Sequence, residues 1–201
     1  MLRELLSLLL GRVPTPPAAD RAEHRERHGV ALAVEADGDE AEALWRRLDA
    51  ALELIAAHRP VWLARMRRMG TRVLVRRTPG TRARLVDGEL AILDSYFVST
   101  FLPAQVAASM VHEATHARLR FCGFATEALG LAREERACRR SELRLGRALL
   151  AAGVEGAAAV VERAEAALAA PDRDVGVAVD WGALRAMEAA EDARRRRERS
   201  G

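Results

Sequence analysis

Residues 103–120 read PAQVAASMVHEATHARLR, and the proline at the start and the apolar spacing predict a single helix. Near its middle, His112 and His116 are four residues apart, so both imidazoles lie on one face of this helix. Glu113 is turned about 100 degrees from His112 and can reach a water beside a shared metal ion. Zinc suits nitrogen and oxygen donors in this arrangement. The HExxH pattern therefore predicts a Zn²⁺ site with His112 and His116 as ligands and Glu113 as general base.

The third ligand has to come from another part of the chain. No histidine follows His116, which excludes a third imidazole downstream. Glu134 and Glu135 lie near the start of the next predicted helix, over residues 131–152, and either can supply a carboxylate. Glu135 continues the apolar stripe of that helix, which is made of Leu131, Cys138, Leu145 and Leu149. We therefore favour Glu135 as the ligand and keep Glu134 as the alternative.

Two more residues of the same helix bear on the site. Glu142 is either an acceptor for a zinc-bound imidazole or a surface partner of Arg139, three residues before it. Cys138 is either a small core residue or a thiol that inhibits by binding the metal. Cys122 is the only other cysteine of the chain, and the two do not form a CxxC pair. We therefore expect Cys122 and Cys138 to be buried free thiols.

The pattern upstream of the HExxH helix is that of strands. Apolar runs over residues 72–76, 82–86 and 89–93 are separated by turn sequences, of which Asp87-Gly88 is a strong hairpin signal. We expect a small antiparallel sheet of about three strands. Further helices are predicted over residues 39–58, 61–70, 155–170 and 180–199. The predicted fold class is therefore α+β and mostly helical.

The chain divides into an appendage and one domain. Residues 1–38 combine a leucine-rich helix, a proline linker and a charged stretch that we interpret as a solvated helix face. Residues 39–201 form the domain, with the metal core at about 70–150 and covering helices at 155–199. His24 and His28 are four residues apart, but no third ligand is obvious, so a second metal site is not expected.

The charge of the chain is carried by arginine alone. All 32 basic residues are arginines, the net charge is +3, and most arginines alternate with glutamates. Only residues 194–199 are a concentrated basic patch, which could bind nucleic acid but is more typical of a solvated terminal helix. No apolar run is long enough to span a membrane and no signal peptide is recognised, so a cytoplasmic protein is expected.

The HExxH segment, the strands before it and the glutamate helix after it resemble the core of compact gluzincins, a family of zinc metallopeptidases. The resemblance covers about residues 70–150. It implies a zincin-like fold and a hydrolase acting on a peptide or protein substrate. The substrate would pair with an edge strand, taken as residues 89–94, while Glu113 moves a proton from water to the leaving amine.

One departure from the family limits the expected activity. Larger gluzincins place a tyrosine or histidine beyond the glutamate to stabilise the oxyanion, whereas the only tyrosine here is Tyr96, ahead of the motif. Tyr96, an arginine or the metal alone must then serve, which favours a protease of restricted specificity. Two alternatives stay open: a catalytically weak or inactive binding protein on the same scaffold, and a nucleic-acid-binding or regulatory protein that uses its arginine tail.

Overall fold

A computed structural model describes residues 22–124 and 130–171 as a five-stranded mixed sheet with six helices. The strands are β1 (Glu23–Arg27), β2 (Val30–Val34), β3 (Arg72–Arg76), β4 (Ala83–Val86) and β5 (Leu90–Asp94). The helices are α1 (Gly38–His58), α2 (Val61–Met69), α3 (Ser95–Thr100), α4 (Pro103–Phe121), α5 (Leu131–Ala151) and α6 (Ala157–Ala169). The predicted α+β class is confirmed.

The strand order is β1-β2-β3-β5-β4. The outer pairs, β1 with β2 and β4 with β5, are antiparallel, while β3 runs parallel to both of its neighbours. The expectation of a three-stranded antiparallel sheet is therefore partly wrong. The hairpin at Asp87-Gly88 forms, but β4 lies outside β5, so the chain leaves the sheet centre after β3 and returns beside it in the same direction.

The charged segment before α1 is a strand and not a helix surface. His28 and Gly29 both have positive φ values, 51° and 71°, and this tight turn pairs β1 with β2. The alternate residues Val30, Leu32 and Val34 are buried against the helices. Residues 23–34 of the predicted appendage thus belong to the sheet. The predicted leucine-rich helix and linker, the helix over 180–199 and the basic patch over 194–199 lie outside the described residues.

The edge of the sheet next to the HExxH helix is β4, not the predicted segment over residues 89–94. Asp87 and Gly88 have φ values of 53° and 79°, and they begin the three-residue turn between β4 and β5. β5 is consequently enclosed between β3 and β4, and its Ala91, Ile92 and Leu93 are buried. Of the two edge strands of the described sheet, β1 and β4, it is β4 that borders the HExxH helix.

Helix α4 is the centre of the helical layer. It packs against α1, α2, α5 and α6 and against the β4–β5 hairpin. A helix that is surrounded in this way has to be apolar or small around most of its circumference. Its buried residues are mainly alanine, valine and methionine, namely Ala104, Val106, Ala107, Ala108, Met110, Val111, Ala114 and Ala117. The two histidines and the glutamate of the motif therefore project from a rigid element.

Helices α5 and α6 meet closely at Gly146. A Cβ added there would lie 2.8 Å from Val160 Cγ1 and 3.2 Å from Val161 Cγ2, and β-branched side chains move little. We expect Gly146→Ala to destabilise the protein, because overpacking costs about 1–3 kcal/mol whereas the gain in helix propensity is about 1 kcal/mol. Urea unfolding measures this change.

A double-mutant cycle supplies the control for Gly146. Combining Gly146→Ala with Val160→Ala removes the clashing methyl group, so the pair is expected to cost less than the sum of the two single variants. A Gly146→Ala variant as stable as the wild type would contradict the close packing.

Two smaller expectations are also tested. Cys138 is buried as predicted, but Cys122 is exposed, because it follows the last turn of α4 at the surface. Leu131, which we include in the apolar stripe of α5, is exposed as well, since it starts that helix. Among the residues that the structure describes, no helix is both long and apolar enough to cross a membrane.

Candidate metal centre

The two histidines of the motif point their outer ring nitrogens at each other. On α4, the Nε2 atoms of His112 and His116 are 3.1 Å apart, as expected for residues one turn apart on the same face. Both side chains are largely buried. This pair provides two nitrogen donors at one point in space.

Glu135 on α5 faces both of these nitrogens. Its Oε1 lies 3.2 Å from His116 Nε2, and its Oε2 lies 3.5 Å from His112 Nε2. The carboxylate therefore bridges the two imidazoles on the side of the Nε2 atoms. The structure brings together the three residues that we predict as metal ligands.

The inner ring nitrogens face two other carboxylates of α5. His116 Nδ1 is 2.6 Å from Glu134 Oε1, and His112 Nδ1 is 2.8 Å from Glu142 Oε1. The second contact is an ion-pair distance whose N–H is not aligned well enough for a hydrogen bond. A carboxylate that faces Nδ1 favours a proton on that atom, so Nε2 is the nitrogen of each ring that a bound metal would take. Glu134 thus orients His116, and we find it on the opposite side of the ring from Glu135.

The spacing of the donors fits zinc. Four ligands at 2.0–2.1 Å in a tetrahedron are separated from one another by about 3.3 Å. The separations among His112 Nε2, His116 Nε2 and the Glu135 oxygens are 3.1, 3.2 and 3.5 Å. Two imidazoles and a carboxylate are also a donor set that catalytic zinc sites use.

The same groups favour a positive charge between them. Burial alone would lower the pKa of His116, but contacts with Cys138 and Glu135 and the charge of Glu113 raise it to about 12. The raised pKa shows that the groups around the ring stabilise a positive charge, which a proton or a metal ion can supply. The electrostatics of the site therefore agree with the spacing of its donors.

Cys138 is a competing candidate for the third ligand. Its Sγ and the ring nitrogens of the two histidines all lie within 4.8 Å of one another. Glu135 faces both Nε2 atoms at 3.2 and 3.5 Å, and although burial would raise its pKa, His116, His112 and Arg139 lower it. Burial raises the pKa of the Cys138 thiol to about 11. We favour the carboxylate, since it is ionised at neutral pH without any help from a metal.

Glu113, the predicted general base, lies in the same cleft as the histidines. Its side chain is buried. Burial raises the pKa of this carboxyl group, and His112 and His116 partly oppose the increase. A carboxylate with a raised pKa is a better proton acceptor near neutral pH than an exposed one.

Glu142 contacts two arginines and an imidazole although it is buried. Its carboxylate contacts His112, Arg139 at 2.9 Å and Arg163 at 3.3 Å. Burial would raise the pKa of Glu142, but these neighbours lower it to about 2. Glu142 therefore pairs with Arg139, as one of the two alternatives predicts. The pair is not at the surface, because the exposed fraction of the Glu142 side chain is 1%.

The low pKa of Glu142 predicts acid sensitivity in the chelator-treated protein. A lowered folded-state pKa contributes stability above the unfolded value of 4.5, and this contribution is lost as the pH falls from 4.5 to about 2. We expect Glu142→Gln to make the free energy of unfolding fall less steeply across this window. Denaturant titrations at several pH values measure the slope. Glu155→Gln, at an exposed position, is the control, and equal slopes for Glu142→Gln and wild type would contradict the prediction.

The metal centre opens into a cleft of about 530 Å³. One wall is the segment from Gly80 to Leu85, which includes the start of the edge strand β4, and the other walls come from α4, α5 and α6. Tyr96, one of the three candidates for stabilising the oxyanion, does not line this cleft. It is 60% exposed on α3, where Arg77 lies over its ring. The structure therefore does not bring Tyr96 to the site.

Arginines of the cleft wall are the residues that sequence reasoning missed. Five of them line the cleft: Arg82, Arg84, Arg120, Arg139 and Arg163. Arg82 could have been found from the sequence once β4 is recognised as the edge strand, because it comes immediately before that strand. No local signal points to Arg163, since only the packing of α6 on α5 brings it to Glu142.

No protein-family model matches this chain, and neither a curated protein nor a solved structure matches it.

Proposed function

We propose that the protein is a zinc-dependent hydrolase, of the peptidase kind, with His112, His116 and Glu135 as metal ligands. The observation that carries the proposal is the convergence of two Nε2 atoms and one carboxylate at separations of 3.1–3.5 Å. Bound zinc would polarise a scissile carbonyl and lower the pKa of a water molecule. Glu134 and Glu142 face the Nδ1 atoms of His116 and His112 and would keep the two rings in this orientation.

The remaining chemistry belongs to Glu113 and to β4. Glu113 would take a proton from the attacking water and pass it to the leaving amine nitrogen, which its raised pKa favours. Within the described residues β4 pairs only with β5 in the sheet, so its other side is an edge along the cleft where an extended peptide could add as a further strand. These two features support a peptide as substrate and amide hydrolysis as the reaction.

The metal content of the purified protein tests the proposal. We expect one zinc per chain in the wild type and its loss in His112→Ala and in His116→Ala, measured by atomic emission after gel filtration. His58→Ala, at the end of α1, is the matched control and should keep its zinc. A wild type without zinc after loading, or histidine variants with unchanged zinc, would refute the metal site.

A binding protein on the same scaffold is the second candidate. It is favoured by the position of Tyr96 away from the cleft and by the lack of any histidine after His116. A wild type that binds zinc but cleaves no member of a random peptide library would select this candidate over the hydrolase.

A further inference from the structure

Two guanidinium groups contact a single carboxylate in the cleft, and a third is near enough to be affected by their charge. Arg139 Nη1 lies 2.9 Å from Glu142 Oε1, and Arg163 Nη2 lies 3.3 Å from Glu142 Oε2. Arg82 lines the cleft beside them. Because Glu142 also faces His112, its one negative charge is shared among several cationic partners.

The guanidinium group of Arg82 lies against two aromatic rings. Its guanidinium carbon lies 4.8 Å from the ring centroid of Phe101 and 5.8 Å from that of Phe97. Within residues 22–124 and 130–171 it forms no ion pair with an acidic side chain. Burial lowers the pKa of Arg82, and the charges of Arg163 and Arg139 lower it further. An additional anion at this point would relieve that repulsion.

The acidic residues of the cleft do not balance this charge. All of them belong to the candidate metal centre, where three face the imidazoles and Glu113 is buried beside them: Glu113, Glu134, Glu135 and Glu142. With a divalent cation among the ligands, the positive charge of the lining arginines exceeds the negative charge. The excess lies where Arg82 directly precedes β4, along whose edge a peptide would run.

We propose that Arg82, Arg139 and Arg163 form a subsite for an anionic side chain of the substrate, so that acidic peptides are the preferred substrate class. The proposal rests on the proposed function in so far as the substrate is a peptide. Guanidinium groups bind carboxylates and phosphates with the same paired hydrogen bonds, so aspartate, glutamate and phosphoserine are all sources of the required anion.

Peptide retention by a zinc-loaded, full-length Glu113→Gln protein tests the subsite without turnover. The immobilised protein is offered alanine-based decapeptide pools in which one position is fixed as glutamate, glutamine, arginine or phosphoserine, and the retained peptides are quantified by mass spectrometry. We expect the glutamate pool to be retained about fivefold better than the glutamine pool, and the advantage to shrink at high salt. Better retention of phosphoserine than of glutamate would identify phosphate as the preferred source of the anion.

Variants at Arg82 locate the effect. Arg82→Gln in the same background is expected to abolish the preference, whereas Arg82→Lys, which keeps the charge, retains most of it. Arg140→Gln, an exposed arginine on α5 outside the cleft, is the matched control and should keep the full preference. Thermal unfolding of each variant shows that it is folded.

The outcomes separate the subsite from the reaction. Equal retention of all pools, a preference for arginine, no retention of any pool, or the same preference in Arg82→Gln and Arg140→Gln would each overturn the subsite. A wild type that prefers acidic peptides and holds zinc but does not cleave them would overturn only the hydrolase. Cleavage of neutral peptides with no acidic preference would overturn only the subsite.

Discussion

Glu113→Gln is expected to lower peptide hydrolysis by about 10²–10⁴-fold, the usual contribution of a general base. The substitution keeps the size of the side chain but removes its ability to accept a proton. Because Glu113 is buried next to the histidines and is not among the atoms that face both Nε2 positions, zinc content should stay at the wild-type level. Rates on a quenched fluorescent peptide pool, together with zinc content, measure the two quantities.

The matched control for Glu113→Gln is Glu162→Gln. Glu162 is an exposed glutamate of α6 that does not line the cleft, so the Glu162→Gln variant should hydrolyse peptides at the wild-type rate. Hydrolysis by Glu113→Gln at the wild-type rate would remove the general base from the proposal. Loss of zinc in the same variant would assign Glu113 to the ligands instead.

Glu135→Ala is expected to weaken zinc binding by more than about 100-fold, beyond the 10–100-fold typical of residues that only orient a ligand. Its two oxygens face both Nε2 atoms at 3.2 and 3.5 Å. Glu134→Ala should fall within the smaller range, because Glu134 contacts only the Nδ1 side of His116. Competition with a chromophoric chelator at fixed pH measures both dissociation constants.

Cys138→Ser completes this comparison. If Glu135 is the third ligand, the serine variant should bind zinc about as well as the wild type, and Glu162→Ala provides the surface control. A larger loss of affinity in Glu134→Ala than in Glu135→Ala would exchange the roles of the two glutamates. A loss in Cys138→Ser as large as that in Glu135→Ala would make the thiol the ligand.

The local parts of the fold could be predicted from the sequence. Helix α4 begins at its proline, α1 forms where a helix over residues 39–58 is predicted, and the Asp87-Gly88 turn joins two antiparallel strands. Each of these depends on residues that are close in sequence. The parallel pairing of β3 with β5 was missed because nothing in either strand states which neighbour it will have. Strand β1 was missed because its charged residues have no apolar alternation of their own.

The candidate site shows the same division. The spacing of His112 and His116 on one helix is a local property, and the structure places them as predicted. From the sequence, only one of Glu134 and Glu135 is expected to reach the site, because a helical stripe has only one inner face. In the structure the ring of His116 lies between the two, so that one carboxylate meets Nε2 and the other meets Nδ1. Only the approach of α5 to α4 determines this, and no pattern within α5 contains it.

The metal ligands and the residues that orient them all lie on α4 and α5, whereas the cleft wall is drawn from the β4 segment and from α6 as well. Affinity for the metal and choice of substrate are therefore encoded in largely separate stretches of the chain. With the proposed roles, substitutions at Arg82 would redirect specificity during evolution, or in protein engineering, while the two-helix unit would keep its affinity for the metal.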